Sequence, residues 1–232
     1  MLRAIIFDMD GVLLDSESLH YQAIHELMES RGCQYSVELL HKYCGVPEKE
    51  IWPYLMRDVG MTGEDAGQMM EEHWVRYRKL LEQNGIPEFP GTKKFLMLLK
   101  KKGYRIAVAS ASLKSVIEDY LQKLNLQGCF DVIVSAQECR HGKPEPDVFL
   151  LAAEKLDVKP EECMVIEDSV KGMIAARRAG MKWIGFDGAR VKPDMQYSVY
   201  TFSDYRTMTA EQLEEWYFSF PKEEQLQERL EE

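Results

Sequence analysis

Two carboxylates near the amino terminus are the residues of this sequence best suited to chemistry. Asp8 and Asp10 follow the apolar run Ile5–Phe7, and Gly11 comes next. Because side chains alternate along an extended strand, residues two apart share a face, and both carboxylates project together from the end of a buried strand. Carboxylates that close repel each other unless a cation or a shared proton lies between them. A strand that ends in a polar turn would explain one aspartate, so the pair favours a site for a cation or for proton transfer.

Other polar residues follow later apolar runs of strand length. Ser110 comes directly after one such run, Lys143 lies in the loop after another, and Glu167 and Asp168 follow a third. In a parallel sheet the carboxyl ends of all strands meet at one edge, where these side chains would join the two aspartates. Carboxylates without neighbouring His or Cys suit Mg²⁺, and a lysine and a hydroxyl suit a phosphoryl group. Each residue alone has an ordinary explanation: Ser110 as a turn serine, Lys143 as a solvated lysine, and Glu167 and Asp168 as helix-capping acids. Their occurrence at the ends of successive strands favours a single site.

The elements that must position these residues alternate between strand and helix. From residue 92 onwards the pattern is typical of a parallel sheet covered by helices on both faces. We therefore predict an α/β protein with a Rossmann-like parallel-sheet core, residues 1–15 and 86–232, and an inserted all-helical domain, residues 16–85. The predicted strands after the first cover residues 104–110, 131–135, 163–166, 182–186 and, at the edge, 198–202, and the helices between them cover 92–102, 112–124, 144–156 and 169–179.

The helical insert is predicted from apolar spacing and capping residues. An apolar stripe runs along the first helix from Leu19 to Met28, and residues 36–43 form a second, short helix. Pro53 must either kink the third helix or lie in its first turn. The run Thr62–Asp65 resembles a capping box, and the long helix behind it carries a Met and aromatic stripe typical of core packing. The charged tail from Ala210 is predicted to be a solvated helix.

Composition and charge argue against several function classes. The net charge of −10 disfavours nucleic-acid and anionic membrane surfaces. Five cysteines, without a Cys-x-x-Cys pair, argue against a disulfide framework or a zinc site and favour reduced thiols. The amino terminus lacks a signal-peptide pattern, and no apolar run is long enough to span a bilayer. No Gly-x-Gly-x-x-Gly follows the first strand, which argues against a dinucleotide site. We expect a cytoplasmic monomer.

Four motifs resemble those of the haloacid dehalogenase superfamily of phosphotransferases. They are Asp8-Met9-Asp10-Gly11-Val12, Ser110 after Ile106–Ala109, Gly142-Lys143-Pro144-Glu145-Pro146-Asp147, and Glu167-Asp168-Ser169 followed by Gly172. The resemblance spans the predicted core, and the helical insert resembles the α-helical cap of that superfamily. Within the superfamily, the sequence is most similar to the β-phosphoglucomutase-like branch, which includes sugar-phosphate phosphatases.

The resemblance implies a role for each matching residue. Asp8 is expected to be the nucleophile, which divides one difficult displacement into two easier ones. Asp10 is expected to be the general acid and base, a role that contributes about 10²–10⁴-fold. Dehalogenases and phosphonoacetaldehyde hydrolases of the superfamily typically lack this second aspartate, so Asp10 argues for phosphate esters. The expected Mg²⁺ ligands are Asp8, Asp10 through its carbonyl, Glu167 and Asp168, and the expected phosphoryl contacts are Ser110, Ala111 and Lys143.

Residues of the cap bear on the choice between a phosphatase and a mutase. Ser16 and His20 match the mutase in residue type, although such a pair is common on ordinary helices. The mutase grips the second phosphate of its substrate with the arginine of a Gly-Val-Ser-Arg loop, whereas this sequence has Gly45-Val46-Pro47-Glu48. At ~4 Å and an effective dielectric of about 20, a glutamate and a phosphate repel each other by about 4 kcal/mol, which would remove that binding mode. A lysine of the mutase cap aligns with His73 here. We therefore favour hydrolysis over transfer between sugar positions.

We expect a Mg²⁺-dependent phosphohydrolase that acts on a small phosphorylated metabolite, with sugar phosphates as the expected class, through an aspartyl phosphate on Asp8. Two alternatives stay open. One is a β-phosphoglucomutase. The other is a non-catalytic phosphate-binding regulator in which Asp8 accepts a phosphoryl group with negligible turnover. The complete set of Asp10, Lys143 and Asp168 argues against the regulator, because a binding protein needs no acid and base.

Overall fold

The chain divides into two compact units, residues 1–15 with 88–232 and residues 16–87. The computed structural model describes residues 1–36, 39–40, 48–189, 194–222 and 225–226, and the side chains of 48–50 are outside this description. The second boundary between the units lies at residue 87, two residues beyond the predicted position.

The first unit is built on a parallel sheet. Its described strands are β1 (Ala4–Phe7), β2 (Arg105–Ser110), β3 (Val132–Ser135), β4 (Cys163–Glu167), β5 (Lys182–Phe186) and β6 (Thr201–Phe202). They lie in the order β3-β2-β1-β4-β5-β6, and every pairing is parallel. Phe7, the last residue of β1, pairs with Val108 of β2 on one side and with Ile166 of β4 on the other. The end of β1 therefore lies at the centre of the sheet edge.

Strands that are buried on both faces need helices on both faces. All four residues of β1 and all five of β4 are buried. In chain order, the described helices are α1 (Ser16–Ser30), α2 (Glu48–Asp58), α3 (Ala66–Asn84), α4 (Thr92–Lys101), α5 (Lys114–Lys123), α6 (Asp147–Lys155), α7 (Val170–Arg178) and α8 (Ala210–Ser219). The alternation of strand and helix from residue 92 onwards confirms the predicted α/β fold.

Two predicted element boundaries differ from the structure. Helix α6 begins at Asp147 instead of residue 144, because the residue before a proline is restricted from the helical region and Pro146 follows Glu145. The edge strand β6 contains only Thr201–Phe202. Ser198, where it was predicted to begin, closes a turn by donating its N–H to the carbonyl of Met195 at 2.8 Å.

The charged helix α8 is packed, so its prediction as a solvated helix is wrong. Ala210, Leu213 and Tyr217 are buried at helical spacing between charged neighbours. The Tyr217 hydroxyl donates to the carbonyl of Glu161, and the Lys182 ammonium donates to the carbonyl of Tyr217. The narrow apolar stripe is therefore enough to dock this helix on the α/β unit.

The second unit is helical throughout its described elements. Leu27, Trp52, Leu55 and Met69 form part of its buried core. Met69, Tyr77 and Leu80 of the predicted stripe are also buried, in agreement with a core role. Most of the predicted helix 36–43 lies outside the described residues.

The structure corrects one local prediction for this unit and excludes one of the two alternatives for Pro53. The predicted capping box is wrong, because the N-cap of α3 is Asp65, whose carboxylate accepts the N–H of Gln68 at 2.9 Å. Pro53 lies in the second turn of α2 and not in its first, since the helix begins at Glu48. In the part of the chain that the structure describes, every helix is too short or too polar to cross a bilayer.

Candidate active site

A buried ion-pair cluster lies where β1 ends. Asp8 is 8% exposed, and its Oδ1 accepts a hydrogen bond from Lys143 Nζ at 2.7 Å. The same ammonium donates to Glu167 Oε1 at 2.7 Å and to the carbonyl of Ala109 at 3.4 Å. The Lys143 ammonium also lies 4.9 Å from the ring centre of Phe149. One lysine therefore links the ends of β1, β2 and β4.

Burial and mutual attraction set the charges of this cluster. Burial raises the pKa of Asp8 to about 7, a shift that Lys143 opposes and Glu167 increases. Burial alone would lower the pKa of Lys143, but the carboxylates of Asp8 and Glu167 raise it above its usual value. The lysine is therefore a permanent cation beside Asp8, and a second cation at Asp8 would favour the ionised carboxylate.

Glu167 also organises the turn between β4 and α7. Its Oε2 accepts hydrogen bonds from the backbone N–H groups of Asp168 at 2.8 Å and Ser169 at 2.7 Å, and from the Ser169 hydroxyl at 2.9 Å. Ser169 caps α7 by accepting the N–H of Gly172 at 3.0 Å. A Cβ on Gly172 would lie only 1.6 Å from Glu167 Oε1, so this position requires glycine. The buried Glu167 thereby fixes the backbone that carries Asp168.

Three carboxylates of this edge are close enough to share a metal ion. One oxygen from each of Asp8, Glu167 and Asp168 lies within 4.8 Å of the other two. An all-oxygen donor set of this kind fits a hard dication such as Mg²⁺ better than a softer metal. The structure thus brings together the three predicted carboxylate ligands.

The loop after β1 passes very close to Asp168. Gly11 has a φ of +77°, and a Cβ at this position would lie 1.9 Å from Asp168 Oδ2. The Gly11 N–H donates to the carbonyl of Leu14 at 2.8 Å, which closes the loop. The glycine after the two aspartates is therefore needed both for the turn and for the position of Asp168.

We expect Gly11→Ala to reduce turnover by about 10²-fold, because displacement of a site carboxylate by ~1 Å has an effect of this size. Gly103→Ala is the matched control, since Gly103 has a φ of +87° and nothing within 4 Å of its added Cβ. The control should lose about 1–2 kcal/mol of stability and keep its turnover. Steady-state kinetics and urea unfolding of both variants measure this difference. Equal turnover in the two variants would contradict the role of the close approach to Asp168.

Two of the three predicted phosphate-contact residues, Ser110 and Ala111, lie at and directly after the end of β2. Ser110 is 1% exposed, and its Oγ accepts the N–H of Ser112 at 3.0 Å, whereas Ala111 is exposed. Ser112 donates its hydroxyl to Asp10 Oδ2 at 3.0 Å. No motif in the sequence pointed to Ser112, although a second hydroxyl two residues after Ser110 is a signal that could identify it.

Tyr205 is a second residue near the site that the sequence did not reveal. Its hydroxyl donates to the carbonyl of Val12 at 2.9 Å, and its ring stacks on Phe186 at 4.7 Å. Burial, with Asp168 and Asp8 nearby, raises the pKa of Tyr205 well above its usual value. Tyr205 therefore supports the loop after β1, but it lies 193 positions from Val12 and belongs to no local motif.

Two of the predicted cap residues meet inside the helical unit. His20 Nδ1 lies 3.3 Å from His73 Nε2, and the His20 ring stacks on Tyr77 at 4.0 Å. Burial, with His73 adjacent, lowers the pKa of His20 to about 3, so His20 is neutral at physiological pH. Ser16 is buried at the first position of α1. The side chain of Glu48 and residues 45–47 lie outside the described part of the chain.

Comparisons with known proteins agree with these motifs and with the fold. A family model for haloacid dehalogenase-like hydrolases matches residues 5–186. The chain is 36% identical over 186 residues to a phosphorylated carbohydrates phosphatase of Thermotoga maritima, covering 79% of this chain and 84% of the relative. It is 30% identical over 190 residues to a β-phosphoglucomutase of Bacillus subtilis, covering 79% and 83%.

A solved structure with a similar fold is that of β-phosphoglucomutase from Clostridium difficile. The two structures superpose with a TM-score of 0.72 at 28% sequence identity, covering 95% of this chain and 99% of the other. The match to the family model covers most of the chain and includes the Asp8–Lys143–Glu167 cluster. This chain therefore belongs to the haloacid dehalogenase-like hydrolase family.

Proposed function

We propose that this protein is a Mg²⁺-dependent hydrolase of small phosphomonoesters, with sugar phosphates as the substrate class, and that it acts through an aspartyl phosphate on Asp8. The observation that carries the proposal is the position of the Asp8 carboxylate within a cluster of three carboxylates. It lies 2.7 Å from the ammonium of Lys143, whose side chain is 9% exposed. A relative that is named a phosphorylated carbohydrates phosphatase supports the substrate class.

The first half of the reaction forms the covalent intermediate. An oxygen of Asp8 attacks phosphorus, the bond from phosphorus to the ester oxygen breaks, and Asp10 donates a proton to the departing oxygen. Lys143 holds Asp8 in place and, as a permanent cation, offsets negative charge that accumulates on the phosphoryl oxygens.

The second half of the reaction releases phosphate. Asp10, now ionised, takes a proton from a water molecule whose oxygen attacks phosphorus. The bond between phosphorus and the Asp8 oxygen breaks, which regenerates the Asp8 carboxylate and frees inorganic phosphate. Asp8, Asp168 and Glu167 would hold Mg²⁺, and the bound ion supplies charge neutralisation that lets an anionic nucleophile approach an anionic phosphate.

The negative charge of Glu48 favours a phosphatase over a mutase. In the sequence, Glu48 corresponds to the arginine of the Gly-Val-Ser-Arg loop that binds a second phosphate in the mutase. Relatives of both kinds exist at 36% and 30% identity, so the choice depends on this residue more than on overall similarity. We propose that residues 16–87 select the substrate as a cap, with Ser16, His20, His73 and Glu48 as candidate substrate contacts.

A ³¹P NMR experiment tests the proposed function. The protein is incubated with Mg²⁺ and a panel of sugar monophosphates that includes β-glucose 1-phosphate, with a catalytic amount of glucose 1,6-bisphosphate and with a parallel sample in excess EDTA. We expect free phosphate from at least one monophosphate and none in EDTA. Efficient conversion of β-glucose 1-phosphate to glucose 6-phosphate would identify a mutase, and no turnover of any substrate would favour a binding protein.

A further inference from the structure

Three serines connect two strand ends to the proposed acid and base. Ser110 ends β2, Ser135 ends β3, and Ser112 lies two residues beyond β2. Ser112 donates its N–H to Ser110 Oγ at 3.0 Å, and its carbonyl accepts the Ser135 hydroxyl at 2.7 Å. Its own hydroxyl donates to Asp10 Oδ2 at 3.0 Å. The chain of contacts therefore runs from the interior of the sheet to the carboxylate of Asp10.

The inner two serines give Ser112 a defined position. Ser110 is 1% exposed and Ser135 is 0% exposed, so both anchoring hydroxyls lie in the protein interior. They bind the peptide groups on either side of Ser112, which restricts the direction in which its side chain points. An ordinary serine turn needs only the contact between Ser110 and the Ser112 N–H. Such a turn does not require the hydrogen bond from Ser135 to the Ser112 carbonyl or the one from the Ser112 hydroxyl to Asp10.

We infer that Ser112 is a positioning residue, which holds the Asp10 carboxylate in the orientation needed for proton transfer. The inference rests on the proposed function, because it assigns Ser112 no role unless Asp10 acts as acid and base. Asp10 follows β1 by three residues and has a rotatable side chain, and a hydrogen bond from a fixed donor restricts that rotation. A small error in the position of a proton-transfer group has a large effect on rate.

The role predicts a selective kinetic defect in Ser112→Ala. With 4-nitrophenyl phosphate the leaving group needs little protonation, so the pre-steady-state burst of nitrophenolate should persist at nearly the parent rate. Hydrolysis of the intermediate depends on Asp10 as a base, so the steady-state rate should fall by about 10–10²-fold. With an alkyl phosphate the leaving group needs the proton, and kcat/KM should fall as well.

Three further variants make this result specific. Ser115→Ala is the matched control, since Ser115 is exposed on α5 and should behave as the parent. Ser112→Thr keeps the hydroxyl and should restore most of the steady-state rate. Ser135→Ala keeps Ser112 but removes the donor to its carbonyl, and it should show a weaker form of the same defect. Thermal melts of all variants identify any that fail to fold.

The outcomes separate this inference from the proposed function. If the parent shows no burst and no covalent phosphoenzyme, the proposed function and the inference both fail. If the parent shows both but Ser112→Ala matches it, only the inference fails. A raised KM with unchanged kcat would make Ser112 a substrate contact, and an equal loss of burst and steady-state rates that Ser112→Thr does not rescue would make its role structural. Either result would overturn the inference.

Discussion

Asp8→Asn is expected to reduce turnover of an aryl phosphate by on the order of 10⁴-fold or more, a loss typical of removing a covalent nucleophile. A carboxamide is a poor nucleophile, and it would face the Lys143 ammonium, which at present donates to Asp8 Oδ1 at 2.7 Å. The variant also loses one of the three clustered carboxylates. Steady-state kinetics at saturating Mg²⁺ measure the effect, with the variant and the parent protein purified to the same standard.

Asp119→Asn is the control for this substitution, because Asp119 is exposed on α5 and pairs at the surface with Lys123. It should keep the parent rate. Turnover by Asp8→Asn within tenfold of the parent would contradict the nucleophile assignment, whatever the behaviour of the control.

Lys143→Met should lose both activity and stability. The substitution leaves Asp8 and Glu167 buried beside each other without the ammonium that bridges them at 2.7 Å to each. Removing one partner of a buried ion pair typically costs about 3–5 kcal/mol. Loss of a cation that stabilises charge in the transition state typically reduces kcat by about 10²–10³-fold. Urea unfolding and steady-state kinetics measure the two effects separately.

An exposed lysine provides the comparison for this second variant. Lys101→Met changes the same residue type at the end of α4, where the side chain is solvated, and should alter neither property by much. If Lys143→Met were as stable as the parent, the buried pair would not hold the site together. Unchanged kcat would argue against a role for the lysine in offsetting phosphoryl charge.

The grouping of the candidate site residues at one edge of the sheet could be predicted, because it depends on local sequence pattern and on one rule of sheet topology. Apolar runs separated by helices predict parallel strands, and parallel strands put their carboxyl ends at one edge. The structure accordingly brings Asp8, Lys143, Glu167 and Asp168 together. Their catalytic roles remain proposals that the variants above test.

Other features depend on contacts that no local pattern reveals. The Tyr205 hydroxyl donates a hydrogen bond to the carbonyl of Val12, which lies 193 positions away in the sequence. Helix α8 was predicted to be solvated because charge dominates its sequence, yet three apolar residues are enough to bury one face. Thr62 and Asp65 are both residue types that cap helices, so the sequence does not distinguish them. The extended backbone conformation of Asp65 identifies it as the N-cap.

The most direct test of the covalent mechanism is to trap the intermediate in Asp10→Asn. With 4-nitrophenyl phosphate the first step needs little acid catalysis, whereas hydrolysis of the intermediate should slow by about 10²–10⁴-fold. The variant is mixed with this substrate and Mg²⁺, quenched in acid within its first turnover, and digested for mass spectrometry. We expect one phosphoryl group on the peptide that contains Asp8, and we expect it to be lost slowly during a chase without substrate. An unlabelled peptide, a label on another residue, or turnover by Asp10→Asn as fast as the parent would contradict it.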